Sequence, residues 1–155
     1  HLKHAYPDLL KDTPDHYRTD IFASKVMDFT SFVYNKLGLR ENDFVKSNEK
    51  VTYHSPCHMR NMGITEEPRA LLSMAADYVP AAEEDVCCGF GGTFAVKMSE
   101  ISGALVSEKV EHMQTQYPDY VIGADSSCLL NIGGRIAREK LPIRVMHIAE
   151  VLMSR

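Results

Sequence analysis

Apolar runs with a helical period alternate along this chain with short, densely apolar runs, which predicts helices alternating with strands. The longest helical run covers residues 12–39, and its repeating apolar positions are Phe22, Val26, Phe29 and Val33. Thr13 precedes Pro14, a residue that favours the first turn of a helix, and Gly38 closes the run. We therefore expect one long helix there, capped by Thr13 and ended by Gly38.

The rest of the chain divides into shorter elements of both kinds. The predicted strands are residues 51–54, 78–81, 119–124 and 143–147. Helices are predicted from about Glu66 and over residues 100–116, 126–140 and 148–155. Strands that alternate with helices predict an α/β fold, with a mainly parallel sheet of about four short strands flanked by helices.

The helix predicted over residues 100–116 separates into an apolar side and a charged side. The positions expected to share its apolar side are Ile101, Leu105, Val110 and Met113. The positions expected to face solvent, beginning just before the helix, are Lys97, Glu100, Glu108, Lys109 and Glu111. We therefore expect an amphipathic helix with one solvated side.

Composition and charge narrow the class of protein. A chain of 155 residues with 45% hydrophobic and 25% charged residues is typical of one ordinary globular domain. The net charge of −4 argues against nucleic acid or an anionic membrane as the main partner. No apolar stretch approaches the roughly 20 residues of a membrane span, and no signal peptide precedes the first helix. We therefore expect a cytoplasmic protein.

The four cysteines are the residues most indicative of function: Cys57, Cys87, Cys88 and Cys128. Cys57 and Cys128 each follow a predicted strand by a few residues. The adjacent pair precedes a glycine-rich loop in which Thr93 is expected to cap the next helix. Because binding sites in parallel α/β folds lie where strands end and helices begin, we expect the cysteines to gather at the carboxyl edge of the sheet.

Thiolates gathered in this way are metal ligands. Four of them suit zinc or an iron–sulfur cluster. Gly89, Gly91 and Gly92 would let the backbone approach a bulky cluster and would free N–H groups to donate to its sulfurs. Two adjacent thiolates bind different irons of a cluster easily, whereas a single tetrahedral zinc accommodates adjacent ligands with difficulty. The pattern therefore favours a polynuclear cluster.

Three other interpretations of the cysteines stay open: a structural zinc domain that holds partners together, a metal-free thiol–disulfide oxidoreductase, and four unrelated buried cysteines. Nearby polar residues are candidates for supporting roles. His54 and His58 flank Cys57, and His147 ends the last strand. Each histidine is a candidate ligand, proton relay, hydrogen-bond donor to sulfur, or purely structural residue. Arg60 is a candidate for binding a substrate carboxylate, or an ordinary surface arginine.

The order of the motifs PCH, VCCGFGG and ADSSC resembles a known cysteine-rich domain, which is marked by a lone cysteine, a Cys-Cys-Gly triplet and a later Cys-x-x-Cys. That domain occurs in the cysteine-rich component of heterodisulfide reductase, in the glycolate oxidase iron–sulfur subunit and in lactate utilisation protein A. The stretches most similar to the lactate utilisation branch are VTYHSPCHMRNMGITEEPRALL, CCGFGGTFAVKMSEISGALVSEKV and LPIRVMHIAEVL. The similarity covers residues 1–155.

The resemblance implies a protein with two cysteine-rich domains. Residues 1–40 would be N-terminal helices that link to a first cysteine-rich domain outside this sequence, and residues 41–155 would be the second. The resemblance also implies an iron–sulfur electron-transfer subunit, which works with other iron–sulfur subunits of a complex that oxidises L-lactate to pyruvate. It would be a component of an oxidoreductase and no catalyst by itself.

In similar domains of heterodisulfide reductases, five cysteines hold a non-cubane [4Fe–4S] cluster. The positions that match four of those five are Cys57, Cys87, Cys88 and Cys128, and the fifth position is Asp125. Asp125 would either ligate the cluster through oxygen or leave a cluster with four thiolates or an open iron. Alternatively, Asp125 would cap the helix that carries Cys128. Because labile clusters are lost in air, an isolated fragment is also compatible with zinc or an empty site.

Overall fold

The structure is a computed structural model that describes residues 2–153. The end of the last predicted helix, residues 154–155, lies outside the described residues. The chain divides into two compact units, His1–Gly38 and Leu39–Arg155. The expected division into a helical link and a second cysteine-rich domain stays a prediction.

The first unit is made of short helical segments. These are α1 (Ala5–Leu10), α2 (His16–Lys25), α3 (Phe29–Ser31) and a π-helical turn (Phe32–Leu37). Gly38 follows in the left-handed conformation, with a φ of 66°, and ends the helical run as predicted.

The prediction of one long helix between Thr13 and Gly38 was wrong, because the chain breaks after α2. Val26 is extended, and the Asp28 side chain accepts hydrogen bonds from the backbone N–H groups of Thr30 (2.8 Å) and Ser31 (3.3 Å). An aspartate that caps a new helix in this way competes with continuation of the old one. Thr13 does not cap α2 either, since its hydroxyl donates to the carbonyl of Leu10 at the end of α1.

The second unit contains the sheet and the cysteines. After a 3₁₀ turn (Glu41–Asp43), its elements are β1 (Lys50–His54), α4 (Cys57–Asn61), α5 (Glu66–Ala75), β2 (Asp77–Tyr78), α6 (Thr93–Lys97), α7 (Ser99–Gln114), β3 (Tyr120–Gly123), α8 (Ser126–Glu139), β4 (Arg144–His147) and α9 (Ile148–Met153). All strand pairs are parallel, in the order β2-β1-β3-β4. The predicted α/β fold with four short parallel strands is thus confirmed.

The central strand β3 is buried on both faces, and its side chains alternate between two apolar layers. Val121 packs with residues of α7 and α8, including Val106 and Ile132. Ile122 packs on the opposite face, in a cluster that contains Leu72 of α5. Helices therefore cover both faces of the sheet and leave its carboxyl edge for the site.

The apolar side predicted for α7 is only partly correct. The residues that α7 buries are Ser102, Val106, Lys109, Val110 and Met113, whereas Ile101 is 49% exposed. Lys97, Glu100, Glu108 and Glu111 are exposed as predicted, but Lys109 is fully buried. The buried stripe is therefore rotated around the helix, and it includes a lysine because the fold supplies acceptors for its ammonium group.

Within residues 2–153, no helix is both long enough and apolar enough to cross a membrane.

Asp28 provides a test of the break between α2 and α3. Asp28→Ala removes the acceptor for two backbone amides and is expected to cost about 1 kcal/mol of local stability. The amide protons of Thr30 and Ser31 should then exchange with solvent about fivefold faster, because exchange follows local opening. Hydrogen-exchange NMR measures this, and Asp28→Asn, which keeps an oxygen acceptor, is the control. Unchanged protection in Asp28→Ala would contradict the cap.

Candidate metal centre

Three side chains from different elements meet at the carboxyl edge of the sheet. His54 ends β1, Cys88 lies in the loop before α6, and Cys128 lies in the first turn of α8. One ligand atom from each residue, the two Sγ atoms and a ring nitrogen, lie within 4.8 Å of one another. All three residues are buried. The structure therefore brings together a buried donor set of two sulfurs and one nitrogen.

The other two cysteines are exposed. Cys57 is the first residue of α4, and Cys87 immediately precedes the buried Cys88. The sulfur of Cys87 accepts a hydrogen bond from the backbone N–H of Gly89 at 3.4 Å. All four cysteines are free thiols. That Cys57 and Cys87 complete the ligand set stays a prediction.

His54 is buried beside the two thiols. Its side chain is 1% exposed, and neither Nδ1 nor Nε2 makes a well-formed hydrogen bond among the described residues, although the imidazole lies close enough to the Cys88 thiol to lower the pKa of that thiol. A buried polar group left unpaired costs on the order of 1–3 kcal/mol. The imidazole is therefore placed where a metal ion or another bound group would satisfy it.

A hydrogen bond joins the two buried thiols and shifts their pKa values in opposite directions. The hydrogen bond with Cys128 lowers the pKa of Cys88, burial opposes this shift, and the nearby His54 imidazole adds to it. The same hydrogen bond raises the pKa of Cys128, together with burial and the negative charges of Cys88, Asp125 and Cys57. The pair thus favours one thiolate and one thiol, and a bound cation would favour the second thiolate as well.

Asp125, the residue at the fifth cysteine position, is a helix cap in this structure. Its Oδ1 atom accepts from the backbone N–H groups of Ser127 (2.8 Å) and Cys128 (3.1 Å), and its Oδ2 atom lies 3.3 Å from Nδ1 of His58. Burial acts to raise the pKa of Asp125, but the hydrogen bonds from Ser127 and Cys128 and the charge of His58 lower it overall. The carboxylate therefore orients both α8 and His58.

The loop after the cysteine pair is held against α7. The carbonyl of Gly89 accepts from the Ser102 hydroxyl at 2.7 Å. Gly89 has a φ of 78°, and a Cβ there would lie 2.8 Å from the Ser102 carbonyl oxygen and 2.9 Å from Cβ of Leu105. Gly89 thus allows the loop to pass close to α7. Contact of Gly89, Gly91 and Gly92 with a cluster stays a prediction.

Thr93 does not cap the helix that follows this loop. It is the first residue of α6, and the N-cap position is Gly92, with a φ of 58° and no side chain to accept a hydrogen bond. The prediction was wrong by one residue, because the loop needs a left-handed backbone at the position where the helix begins.

The buried Lys109 fixes the segment before the cysteine pair. Its Nζ atom donates to the backbone carbonyls of Glu83 and Glu84, both at 2.7 Å. The Glu84 carbonyl also accepts from the backbone N–H of Ser55, just beyond β1. The helical pattern of the sequence predicts that Lys109 faces solvent. The only feature of the sequence that argues for burial is that Val106 and Val110, two apolar residues, are its neighbours on the helix.

Arg69 of α5 holds the same segment through side chains. Its Nε atom donates to the buried Glu84 carboxylate at 3.0 Å, and its NH2 group donates to Asp85 at 3.1 Å. The Tyr78 hydroxyl also donates to Glu84, at 2.6 Å, and burial together with this bond raises the pKa of Tyr78. Two helices on opposite faces of the sheet therefore fix the approach to Cys87 and Cys88, which no local sequence motif indicates.

His147 and Arg60, the two other candidate residues, lie outside the buried donor set. The Nδ1 atom of His147 accepts a hydrogen bond from the backbone N–H of Ala149, at the start of α9. Arg60 lies on α4, and its buried Nε atom has no hydrogen-bond partner in the described part of the chain. His147 therefore serves as a local cap, and a carboxylate ligand for Arg60 stays a prediction.

The sequence of this part of the chain matches a known family. The Cysteine-rich domain family, abbreviated CCG, matches residues 51–133, which include all four cysteines. The chain belongs to the CCG family. The family resemblance inferred from the sequence motifs is thereby confirmed.

Curated relatives of this CCG domain share close to half of its residues. Uncharacterized protein YkgE of Escherichia coli is 48% identical over 97% of this chain and 64% of its own length. Lactate utilization protein A of Lysinibacillus sphaericus is 46% identical over 97% of the chain and 67% of its own length. Lactate utilization protein A of Bacillus licheniformis is 46% identical, with 97% and 64% covered. The chain thus spans about two thirds of the length of these relatives.

The side chains of the CCG domain fit a thiolate-bound metal or cluster. The His54 imidazole is buried without a well-formed hydrogen bond among the described residues, and the hydrogen bond between Cys88 and Cys128 lowers the pKa of the first thiol and raises that of the second. Soft sulfur donors with an imidazole nitrogen suit zinc and iron–sulfur centres, and they do not suit magnesium or calcium. The donor chemistry therefore agrees with the class of site predicted from the sequence.

Gly89 gives a test of how the cysteine loop is packed. Gly89→Ala would introduce both left-handed strain and the two close contacts with α7, whereas Gly92→Ala, with a φ of 58° and no atom near the added Cβ, introduces the strain alone. We expect Gly89→Ala to lower the free energy of unfolding by about 1–3 kcal/mol more than Gly92→Ala. Urea denaturation measures the free energy of unfolding of both variants. Equal decreases would show that the contacts between Gly89 and α7 do not restrict which residue fits at position 89.

Lys109 is expected to make stability depend on pH. Burial lowers the pKa of its ammonium group from 10.5 to about 8; the charges of Glu84, Asp85 and Cys88 act to raise it, and Arg60 lowers it further. Between these two pH values the unfolded chain binds a proton that the folded chain lacks. The free energy of unfolding therefore rises with pH through this interval.

Replacing Lys109 by methionine removes this titration. Relative to Lys109→Met, the free energy of unfolding of the wild type should increase by on the order of 1–2 kcal/mol between pH 7 and pH 9.5. Urea denaturation of the metal-free protein gives the difference, and the exposed Lys97→Met is the matched control. The same difference at both pH values would show that Lys109 does not titrate with a lowered pKa in the folded protein.

Proposed function

We propose that this CCG domain binds an iron–sulfur cluster, of the [4Fe–4S] class, and transfers electrons within a complex that oxidises L-lactate to pyruvate. The observation that carries the proposal is the buried set of His54, Cys88 and Cys128, whose ligand atoms lie within 4.8 Å of one another. The names of two relatives, Lactate utilization protein A, support the metabolic context. The CCG family supports the cysteine site.

The residues that would hold the cluster differ in exposure. Cys88 and Cys128 would be its buried ligands, His54 would supply a nitrogen, and the exposed Cys57 and Cys87 would bind from the solvent side. An iron–sulfur cluster supplies reversible one-electron transfer. The protein would position it, exclude water from one side and set its charge environment.

One buried cation favours a negatively charged centre. Lys109 places its ammonium group close enough to Cys88 for the thiolate charge to raise the lysine pKa. The start of α8 adds little to this effect, because the Asp125 carboxylate already accepts from the backbone N–H groups of Ser127 and Cys128. Lys109 would stabilise the Cys88 thiolate and the more reduced form of a bound cluster.

A structural zinc site is the second candidate function, and the geometry gives it specific support. Two cysteine sulfurs and one histidine nitrogen that converge in the interior are a frequent partial ligand set for zinc. Zinc would need one further ligand, from Cys57, Cys87 or solvent, and would stabilise the fold without carrying electrons.

The remaining expectations concern the whole protein. A first cysteine-rich domain agrees with relatives that are longer than this chain, while other iron–sulfur subunits as partners and a cytoplasmic location are expectations from the resemblance alone. We include them in the proposal. The subunit would then act as a component of the oxidoreductase and would not oxidise lactate alone.

Metal analysis of the full-length protein tests the proposal. After anaerobic reconstitution, we expect iron and sulfide in cluster proportions, and loss of one cluster's worth of both in Cys88→Ser and in Cys128→Ser. Because another cysteine-rich domain would carry its own metal, the loss caused by each substitution is the informative quantity. Val106→Ala, a core truncation that leaves every donor in place, controls for general destabilisation.

The other outcomes separate the alternatives. Stoichiometric zinc without sulfide, lost in the same two variants, would favour the zinc site over electron transfer. Absence of metal together with a reversible disulfide would favour the thiol–disulfide oxidoreductase. Iron and sulfide that are unchanged in both variants would remove these cysteines from the cluster.

A further inference from the structure

A cavity of about 260 Å³ lies between α7 and α8. It is separate from the donor set of His54, Cys88 and Cys128, and no residue of that set lines it. Its polar lining consists of Ser99, Ser102, Asn131, Arg135 and Arg138. No aspartate or glutamate lines it. Two arginines line a cavity in a chain whose net charge is −4, and the carboxylate that lies beside one of them, Glu139 at 3.5 Å from Arg135, is outside the lining.

The two arginines retain capacity to bind an anion. Arg138 is exposed and has no ion pair or hydrogen bond among the residues that the structure describes. Arg135 donates from one nitrogen to the Gly103 carbonyl at 3.1 Å, and another nitrogen lies 3.5 Å from Glu139. Because a guanidinium group carries five N–H donors, these contacts leave several free.

A glycine that no backbone constraint explains lines the cavity. Gly134 lies inside α8, where glycine is less favourable than alanine. It does not have the left-handed backbone that would explain a glycine, and a Cβ at this position would meet no atom within 4 Å. A larger residue at this position would therefore extend into open space without a clash at its Cβ.

The walls of the cavity also hold the cysteine loop. The Asn131 side chain donates to the carbonyl of Cys88 at 2.8 Å, and the Ser102 hydroxyl donates to the carbonyl of Gly89 at 2.7 Å. A molecule in the cavity would therefore touch side chains that bond directly to the backbone of the candidate metal centre.

We propose that this cavity binds a small 2-hydroxy or 2-oxo carboxylate. The free guanidinium donors of Arg135 and Arg138 would pair with the carboxylate, since arginine forks match its geometry. The Ser99 hydroxyl has no partner among the described residues and would bond the 2-oxygen, while Val106 offers apolar contact for a methyl group. The choice of lactate and pyruvate as probes rests on the proposed function, whereas the carboxylate site itself does not.

Isothermal titration calorimetry on the reconstituted full-length protein tests the site, with L-lactate, pyruvate and inorganic phosphate as separate ligands. The double variant Arg135→Gln with Arg138→Gln should weaken binding of L-lactate and pyruvate at least tenfold. Arg18→Gln with Arg144→Gln removes the same charge from positions that do not line the cavity and should stay within twofold of wild type.

Gly134→Leu provides a second variant that keeps every charge. Its side chain would take up part of the cavity that Gly134 lines and should weaken carboxylate binding at least tenfold, while the unfolding temperature should not fall, because an added Cβ meets no atom within 4 Å. The proposal is wrong if the wild type binds neither carboxylate, if phosphate binds as tightly as they do, or if the arginine pair and Gly134→Leu both bind like wild type.

Iron and sulfide contents of the same samples separate this inference from the proposed function. Carboxylate binding by a protein without a cluster would support the cavity and refute electron transfer. A full cluster in a protein that binds no carboxylate would support electron transfer and refute the carboxylate site.

Discussion

His54, Cys88 and Cys128 place a ring nitrogen and two sulfurs within 4.8 Å of one another in the interior of the domain, and neither nitrogen of the imidazole makes a well-formed hydrogen bond among the described residues, although the Cys88 thiol lies beside it. Buried polar groups are rarely left in this state, because the protein loses their hydration without replacing it. A bound metal centre would supply the missing interactions and would neutralise the thiolates. The strand, loop and helix that meet at this edge of the sheet each carry one of the three donors and hold them together.

The approach to the cysteine pair is fixed from both sides of the sheet. Lys109, on α7, binds the carbonyls of Glu83 and Glu84, and Arg69, on α5, binds the Glu84 side chain. Gly89 then allows the chain to pass close to α7. Two cationic side chains and one glycine thus hold a loop without regular secondary structure against helices on both faces of the sheet. These contacts would help to keep the sulfur ligands in place when an electron arrives or leaves.

Much of the fold and part of the site could be predicted from the sequence, because strand alternation and the cysteine positions are local signals. The strands β1, β3 and β4 follow from dense apolar runs, and the position of Cys128 after β3 places it at the carboxyl edge. The roles of Lys109 and Asp28 could not be predicted, since each depends on which acceptors or amides the folded chain brings near. Likewise, the Arg135 and Arg138 cavity arises only when α7 and α8 pack side by side.

The most direct test of the metal centre is whether His54 binds the same metal as the two buried thiols. Pulsed EPR of the reduced, reconstituted full-length protein, with histidine labelled by ¹⁵N, detects nitrogen bound to a paramagnetic cluster. We predict a strong coupling to one histidine nitrogen that disappears in His54→Ala and persists in His58→Ala. A cluster that shows no histidine coupling, or a coupling that survives in His54→Ala, would contradict the assignment of the buried donor set as the metal centre.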